Sequence, residues 1–304
     1  MPLRVLLLLG FGLLASLPAA AAAAATTTRL EGPTLDHHEA LAGRAEVEIR
    51  MDRGRLHVHG DSRDGVRTRG RLGAGIAALE LSRDGHWLRL EVQPRPAPPG
   101  TAQELDSELE LWLPPGSDLV IEAPAVAVQI DGANGKVEVR ILSGTVNLSG
   151  RSSELQVQTI SGAIRTDGFE CPLATLKSAA GALTLGGSFE ELTARSAESP
   201  LEVTASISDE GHLESGQGRV RFAGELGPFA RLKVVTQGGE ARLELARELE
   251  ALFTLASFSG ELENGLGPAF SRPGLRRHLS WQQGKAPRRI EVETFDGKIS
   301  LLAR

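Results

Sequence analysis

VEVRILSGTVNL, residues 137–148, is the phrase whose reading decides the fold. Val137, Val139 and Ile141 alternate with polar residues, so three apolar side chains point one way from an extended chain. After Ser143-Gly144 the apolar positions are Val146 and Leu148, and odd numbers have become even. A straight strand would send one of these sets into water. The chain therefore bends at the glycine, which reaches φ > 0 without steric cost, and both halves face one interior. Leu155 and Val157 before Ser161-Gly162, with Ile164 after it, show the same switch.

Outward from this phrase, markers of the same kind recur at Ala180-Gly181, Ser199-Pro200, Gln217-Gly218, Gly238-Gly239 and Ser259-Gly260. From Ser143 the steps are 18, 19, 19, 18, 21 and 21 residues, and Asp296-Gly297 follows after 37, two steps with the middle marker lost. A repeat of this length cannot bury its own face alone and must stack on its neighbours. The expected fold is all-β: a single-stranded parallel β-solenoid, a β-helix-like stack of short strands with 18–21 residues per coil. Its coils would lie about 4.8 Å apart, with Ser143, Ser161, Ser199 and Ser259 one above another. An antiparallel meander or β-sandwich of hairpins, each with a Ser-Gly turn, meets the same parity and stays open.

The rest of the chain divides around this region. Residues 1–25 combine Arg4, an apolar run and a run of alanines ending at Ala25, the three parts of a secretory signal peptide. The mature chain is then expected in the periplasm or secreted. No later run is apolar for the 20 or so residues a transmembrane helix needs. Residues 26–106 read as irregular N-terminal β coils and a cap, with alternating stretches at 45–50 and 55–60 and a tight turn at Asp84-Gly85. Four prolines in 94–102 place a rim loop or seam there. Residues 107–262 hold the regular solenoid repeats, and 263–304 a C-terminal loop and closing β coil. The stretch 240–253 has helix-forming residues, but Ala241, Leu243 and Leu245 alternate, so it reads as two strands with a turn at 246–248.

Composition excludes more than it selects. Aromatic residues are 4% of the chain and tyrosine is absent, which suits a thin aliphatic core. A formal net charge of −6 argues against a nucleic-acid partner. The single cysteine, Cys171, forms no internal disulfide and reads as a buried or half-buried thiol at a strand-to-strand corner, with an intermolecular disulfide or a reactive thiol as the alternative.

Candidate functional residues are sparse. His57 and His59 share the polar side of a strand, and Asp61 lies close in sequence. Together they could hold a metal; the plainer reading is a solvated strand face, and no metal or cofactor is expected. Glu138, Arg140, Gln156 and Gln158 mark a polar strand face suited to broad recognition. Arg272, Arg276, Arg277, Lys285, Arg288 and Arg289 make the C-terminal end basic, a solvated patch by default or a contact for an anionic envelope surface. No G-x-S-x-G, H-E-x-x-H or phosphate-binding glycine loop occurs. The function expected is a non-enzymatic cell-envelope protein that presents a rigid β surface to a protein or glycan partner. The alternative is a polysaccharide-acting hydrolase or lyase using outward carboxylates such as Glu138, Glu154, Glu202 or Glu261.

The phrase Thr159-Ile-Ser-Gly-Ala-Ile, the closing phrase Val292-Glu-Thr-Phe-Asp-Gly-Lys-Ile and the secretory start resemble those of the bacterial DUF4097 family of secreted β-strand repeat proteins. The resemblance covers most of residues 40–304 and departs at Ala180 and at Ser199-Pro200. The family's adhesin label implies a binding role, and the family offers no catalytic residues to carry over.

Overall fold

The computed structural model describes residues 25–41, 43–60, 62, 65–98, 104–132, 135–268, 277–285 and 287–304. The stretch read as a signal peptide, residues 1–25, thus lies, but for Ala25, outside the described residues. Within them the chain is all-β, a succession of strands with no helix. Every alternating run named above is a strand. Residues 240–253 form Ala241–Leu245 and Ala251–Ser257 with a turn between, and Asp84-Gly85 closes the antiparallel hairpin of Ile76–Asp84 and Trp87–Pro94.

The chain passes repeatedly through two ladders of mostly parallel strands. In the first, Trp87–Pro94, Glu46–Arg50, 118–123, 136–141, Glu154–Thr159, 173–178, 191–196, 210–215, Arg231–Thr236, Arg289–Thr294 and Ala251–Ser257 pair in that order. In the second, Ser107–Trp112, Arg53–His59, 125–131, 143–151, 163–170, 183–189, 201–207, 220–226, Ala241–Leu245, Ile299–Ala303 and Leu262–Asn264 do the same. Antiparallel strands close the ends. Ile76–Asp84 and Val66–Arg71 cover the N-terminal edges and Arg277–Gln283 covers Ala251–Ser257. They occupy the hydrogen-bonding groups that an open edge would offer to other chains.

Register places like residues in columns. Leu119, Val137, Leu155, Ala174 and Leu192 form one buried column of the first ladder; Ile121, Val139, Val157, Leu176 and Ala194 form the next. Across the corner, Val128, Val146, Ile164, Leu183 and Leu201 face them from the second ladder and are buried as well. The parity switch is therefore real. At Gly144 it occurs inside the continuous strand Lys136–Arg151, where φ is +119° and an added Cβ would lie 2.2 Å from the Val126 carbonyl oxygen.

A third column lies at the corner itself: Ala123, Ile141, Thr159, Ser178, Ser196, Ser215, Thr236, Thr294 and Ser257, all buried. From Thr159 onward each carries a hydroxyl. Thr159, Ser178, Ser196, Thr294 and Ser257 accept a hydrogen bond from the backbone N–H three residues on, at 2.7–3.1 Å. Thr236 instead donates to the Gly239 carbonyl. These six turns are thereby closed by a side chain of their own coil, which satisfies backbone groups that a buried corner would otherwise leave unpaired; Ser215, buried in the same column, has no hydrogen-bond partner among the described residues.

This column corrects the marker alignment. Three residues after each hydroxyl come Gly162, Gly181, Ser199, Gly218, Gly239, Gly297 and Gly260. Ser199 stands in the glycine column, not with Ser161 and Ser259; its coil carries Glu198 in the serine position. Its hydroxyl donates to the Ala180 carbonyl at 2.7 Å, while Ser161 donates to Leu142 and Ser259 to Phe295.

A second correction concerns order. Asp296-Gly297 does not follow Ser259-Gly260 in space. Strand Arg289–Thr294 pairs with Arg231–Thr236 on one side and Ala251–Ser257 on the other. Ile299–Ala303 likewise separates Ala241–Leu245 from Leu262–Asn264. The last coil is inserted between the two before it. The N-terminal end does the same, for Glu46–Arg50 lies between Trp87–Pro94 and 118–123.

Candidate functional site

The corner that carries the hydroxyl column also shapes a groove. The residue after each member of the corner column is turned outward, because the column's own side chains point into the core and neighbours in an extended chain face opposite ways. These outward residues are Leu142, Ile160, Ala179 and Ala197, and Pro124 precedes them in the stack. Leu142 and Ile160 are 54% and 57% exposed, unusual for side chains of their size. Beside them runs an outward column of the first ladder: Glu122, Arg140, Gln158, Lys177, Arg195 and Glu214. Between the two columns lies a continuous groove of about 1190 Å³, reaching from Pro94 at one end to Gln237 at the other. Among the described residues, none that lines it is aromatic.

The wall of the groove is held by ion pairs between adjacent coils. Arg140 pairs with Glu122 at 3.2 Å, Arg50 with Glu122 at 3.3 Å and Arg195 with Glu214 at 3.1 Å, and Arg140 also pairs with Glu138 of its own strand. Exposed pairs of this sort contribute little to stability, about 0–1 kcal/mol each. They do fix where the side chains point. Of the four residues read as a binding face, Arg140 and Gln158 line the groove. Glu138 and Gln156 are registered opposite each other one column away on the same face.

The basic C-terminal cluster is partly spent on the fold. Arg272 and Arg276 lie outside the described residues. Arg277 donates to the Gly260 carbonyl at 2.6 Å. Arg288 donates to the Gly227 carbonyl at 2.7 Å and to that of Glu250 at 3.3 Å. Arg289 is exposed, and Lys285 sits in the turn after Arg277–Gln283. Of the outward carboxylates, Glu154 pairs with Lys136 and Glu202 with Arg219.

A second group of residues meets on the outer face of the second ladder. His57 and His59 share that face, as their spacing requires, and their ring centroids are 3.8 Å apart. Asp61 lies outside the described residues. The third group is Asp131, registered opposite His59 across a ladder rung. His57 Nε2 and Asp131 Oδ2 are 2.6 Å apart, and the ligand-type atoms of all three residues lie within 4.8 Å of one another. Ser149 donates to the other oxygen of Asp131 at 2.5 Å and Gln129 donates to Oδ2 at 2.9 Å. Burial pushes the Asp131 carboxyl up, but the hydrogen bonds from Ser149, His57 and Gln129 outweigh it and hold the group below its ordinary value. A partner 74 residues away gives no local signal in the sequence.

Cys171 is buried at the opposite corner, between 163–170 and 173–178. It accepts from Ser152 and donates to the Leu173 carbonyl, and burial pushes its thiol up.

These features define an all-β protein whose distinctive surfaces are a corner groove and a histidine–aspartate cluster, with no membrane-crossing helix among the described residues. The chain belongs to the Toastrack DUF4097 family, whose model matches residues 79–302. No curated protein matches it. Among solved structures it is similar, at 11% identity and a TM-score of 0.26, to a "putative cell adhesion protein" from Clostridium sporogenes ATCC 15579, over 89% of this chain and 100% of that one.

Proposed function

We propose that this chain is a non-enzymatic β-solenoid of the bacterial envelope whose corner groove holds one extended segment of a partner protein. The groove carries the reading. Its apolar and polar columns repeat coil after coil at about 4.8 Å, a lining that an extended polypeptide can follow with side chains on the apolar column and backbone groups toward Arg140, Gln158 and Lys177. The parallel registers, offset by one repeat at each step, support the solenoid. The secretory start supports export. A glycan fits less well, because sugar-binding grooves draw on aromatic faces and this one has none.

The enzyme alternative draws less support. A glycosidase acid needs a carboxyl held protonated. Two of the outward carboxylates that alternative would use are instead taken up in ion pairs, Glu154 with Lys136 at 2.9 Å and Glu202 with Arg219 at 3.5 Å.

The test places a photo-cross-linking residue at Ile160 or Ala197, in the groove, and at exposed Arg165 on the other ladder. In envelope extract the two groove positions are expected to form an adduct with one and the same protein, and Arg165 none. Ile160→Glu should weaken capture of that protein at least tenfold with an unchanged unfolding temperature. Unaltered capture by Ile160→Glu, or glycan-array binding without a protein adduct, contradicts the reading.

A further inference from the structure

The cluster of His57, His59 and Asp131 lies on the other ladder from the groove and plays no part in that reading. We infer that these three side chains form a binding site for one divalent transition-metal ion of the zinc–copper class.

Donor chemistry selects the class. Two imidazoles and one carboxylate suit zinc, copper or nickel, whereas calcium and magnesium take oxygen donors. Geometry brings the donors to one point. Around a tetrahedral ion with bonds near 2.0–2.1 Å, neighbouring donor atoms are about 3.4 Å apart. The three donors here lie within 4.8 Å of one another. Small χ rotations close that span, and the 2.6 Å contact of His57 with Asp131 opens as the ion takes the place of the shared proton.

The backbone under the cluster is fixed. Arg53–His59 pairs on both sides, with Ser107–Trp112 and with 125–131. Trp112 stacks on the His59 ring at 5.1 Å and 16°, and Arg69 lies 5.8 Å from the Trp112 centroid. Ser149 and Gln129 aim the Asp131 carboxylate. Such orienting partners are characteristic of metal ligands and raise affinity. The His57 and Asp131 side chains keep 31% and 36% exposure, so the ion has an open path from solvent and completes its shell with water.

The test uses the full mature chain without an affinity tag, freed of metal by chelator dialysis and titrated calorimetrically with Zn²⁺ and with Cu²⁺. One ion per chain is expected. His59→Ala and Asp131→Asn should each weaken binding at least tenfold, and His86→Ala and His212→Ala should not. Cu²⁺ should quench tryptophan emission, and Trp112→Phe should remove most of that quenching. Electron paramagnetic resonance of the Cu²⁺ form should show two nitrogen ligands, falling to one in His59→Gln, a variant that keeps a polar side chain and whose metal-free unfolding temperature shows whether it folds. Absence of saturable one-to-one binding, binding indifferent to both His59 and Asp131, or a preference for Ca²⁺ or Mg²⁺ overturns the inference.

Discussion

Removal of residues 287–304 should release not one coil but two. Ile290, Val292, Ile299 and Leu301 of this segment are each fully buried. At about 1.5–3 kcal/mol per buried aliphatic side chain, they represent roughly 6–12 kcal/mol, comparable with the whole stability of an ordinary domain. The segment also lies between its predecessors. Arg231–Thr236 and Ala251–Ser257 each pair with Arg289–Thr294 and not with each other. A chain ending at Ala286 therefore leaves 251–264 with no coil to stack on, and its Phe253 and Leu255, buried in the intact chain, have no cover on that side. Hydrogen exchange should show the amides of Ala251–Ser257 unprotected while those of Glu154–Thr159 stay protected. Retained protection at 251–257 would mean that the coils stack in order of sequence.

The second large effect is steric. Gly181 packs against the coil before it so closely that an added Cβ would lie 1.8 Å from the Gly162 carbonyl oxygen and 2.9 Å from Ser178 Oγ. That carbonyl is backbone and cannot swing aside. Gly181→Ala must push adjacent coils apart or break the turn that Ser178 closes, at a cost of about 3 kcal/mol or more. Gly186, on the adjoining strand Leu183–Ser196, is the control: its nearest neighbours to an added Cβ are at 3.4 and 3.6 Å, an ordinary contact. Gly186→Ala should be neutral or slightly stabilising, since alanine lowers the entropy of the unfolded chain. Denaturant unfolding of the two variants measures the difference, and equal midpoints would refute the close packing of the glycine column.

How much of this was legible in the sequence follows from how local each feature is. Alternation in 137–141 and 146–148 is local, and so is the bend between them. The turn at 246–248 could be read because the apolar parity of Ala241, Leu243 and Leu245 is stronger evidence than helix propensity. Register is not local. The Ser199-Pro200 marker misled because the serine beside a proline looks like Ser161 and Ser259. The buried hydroxyl of Ser196, three residues earlier, decides the column, and the spacing of a Ser or Thr three before each glycine would have shown it. The order of the coils at the two ends was hidden, since parallel pairing carries no sequence mark of which neighbour comes next. The groove was half visible. Arg140 and Gln158 were read as a surface, but Leu142 and Ile160 look like core until the corner turns them outward. Asp131 could not be matched with His57 and His59 without the register of 125–131.

The most direct test of parallel, repeat-by-repeat stacking is a set of cysteine pairs in a Cys171→Ala background, joined by a short thiol-specific cross-linker. Glu154 is registered opposite Leu173, and Gln158 opposite Lys177. Cysteines at 154 and 173, and separately at 158 and 177, should cross-link efficiently, while the pair 154 and 177 should not. An efficient link between 154 and 177, with none at 154 and 173, would mean antiparallel neighbours and would contradict the account.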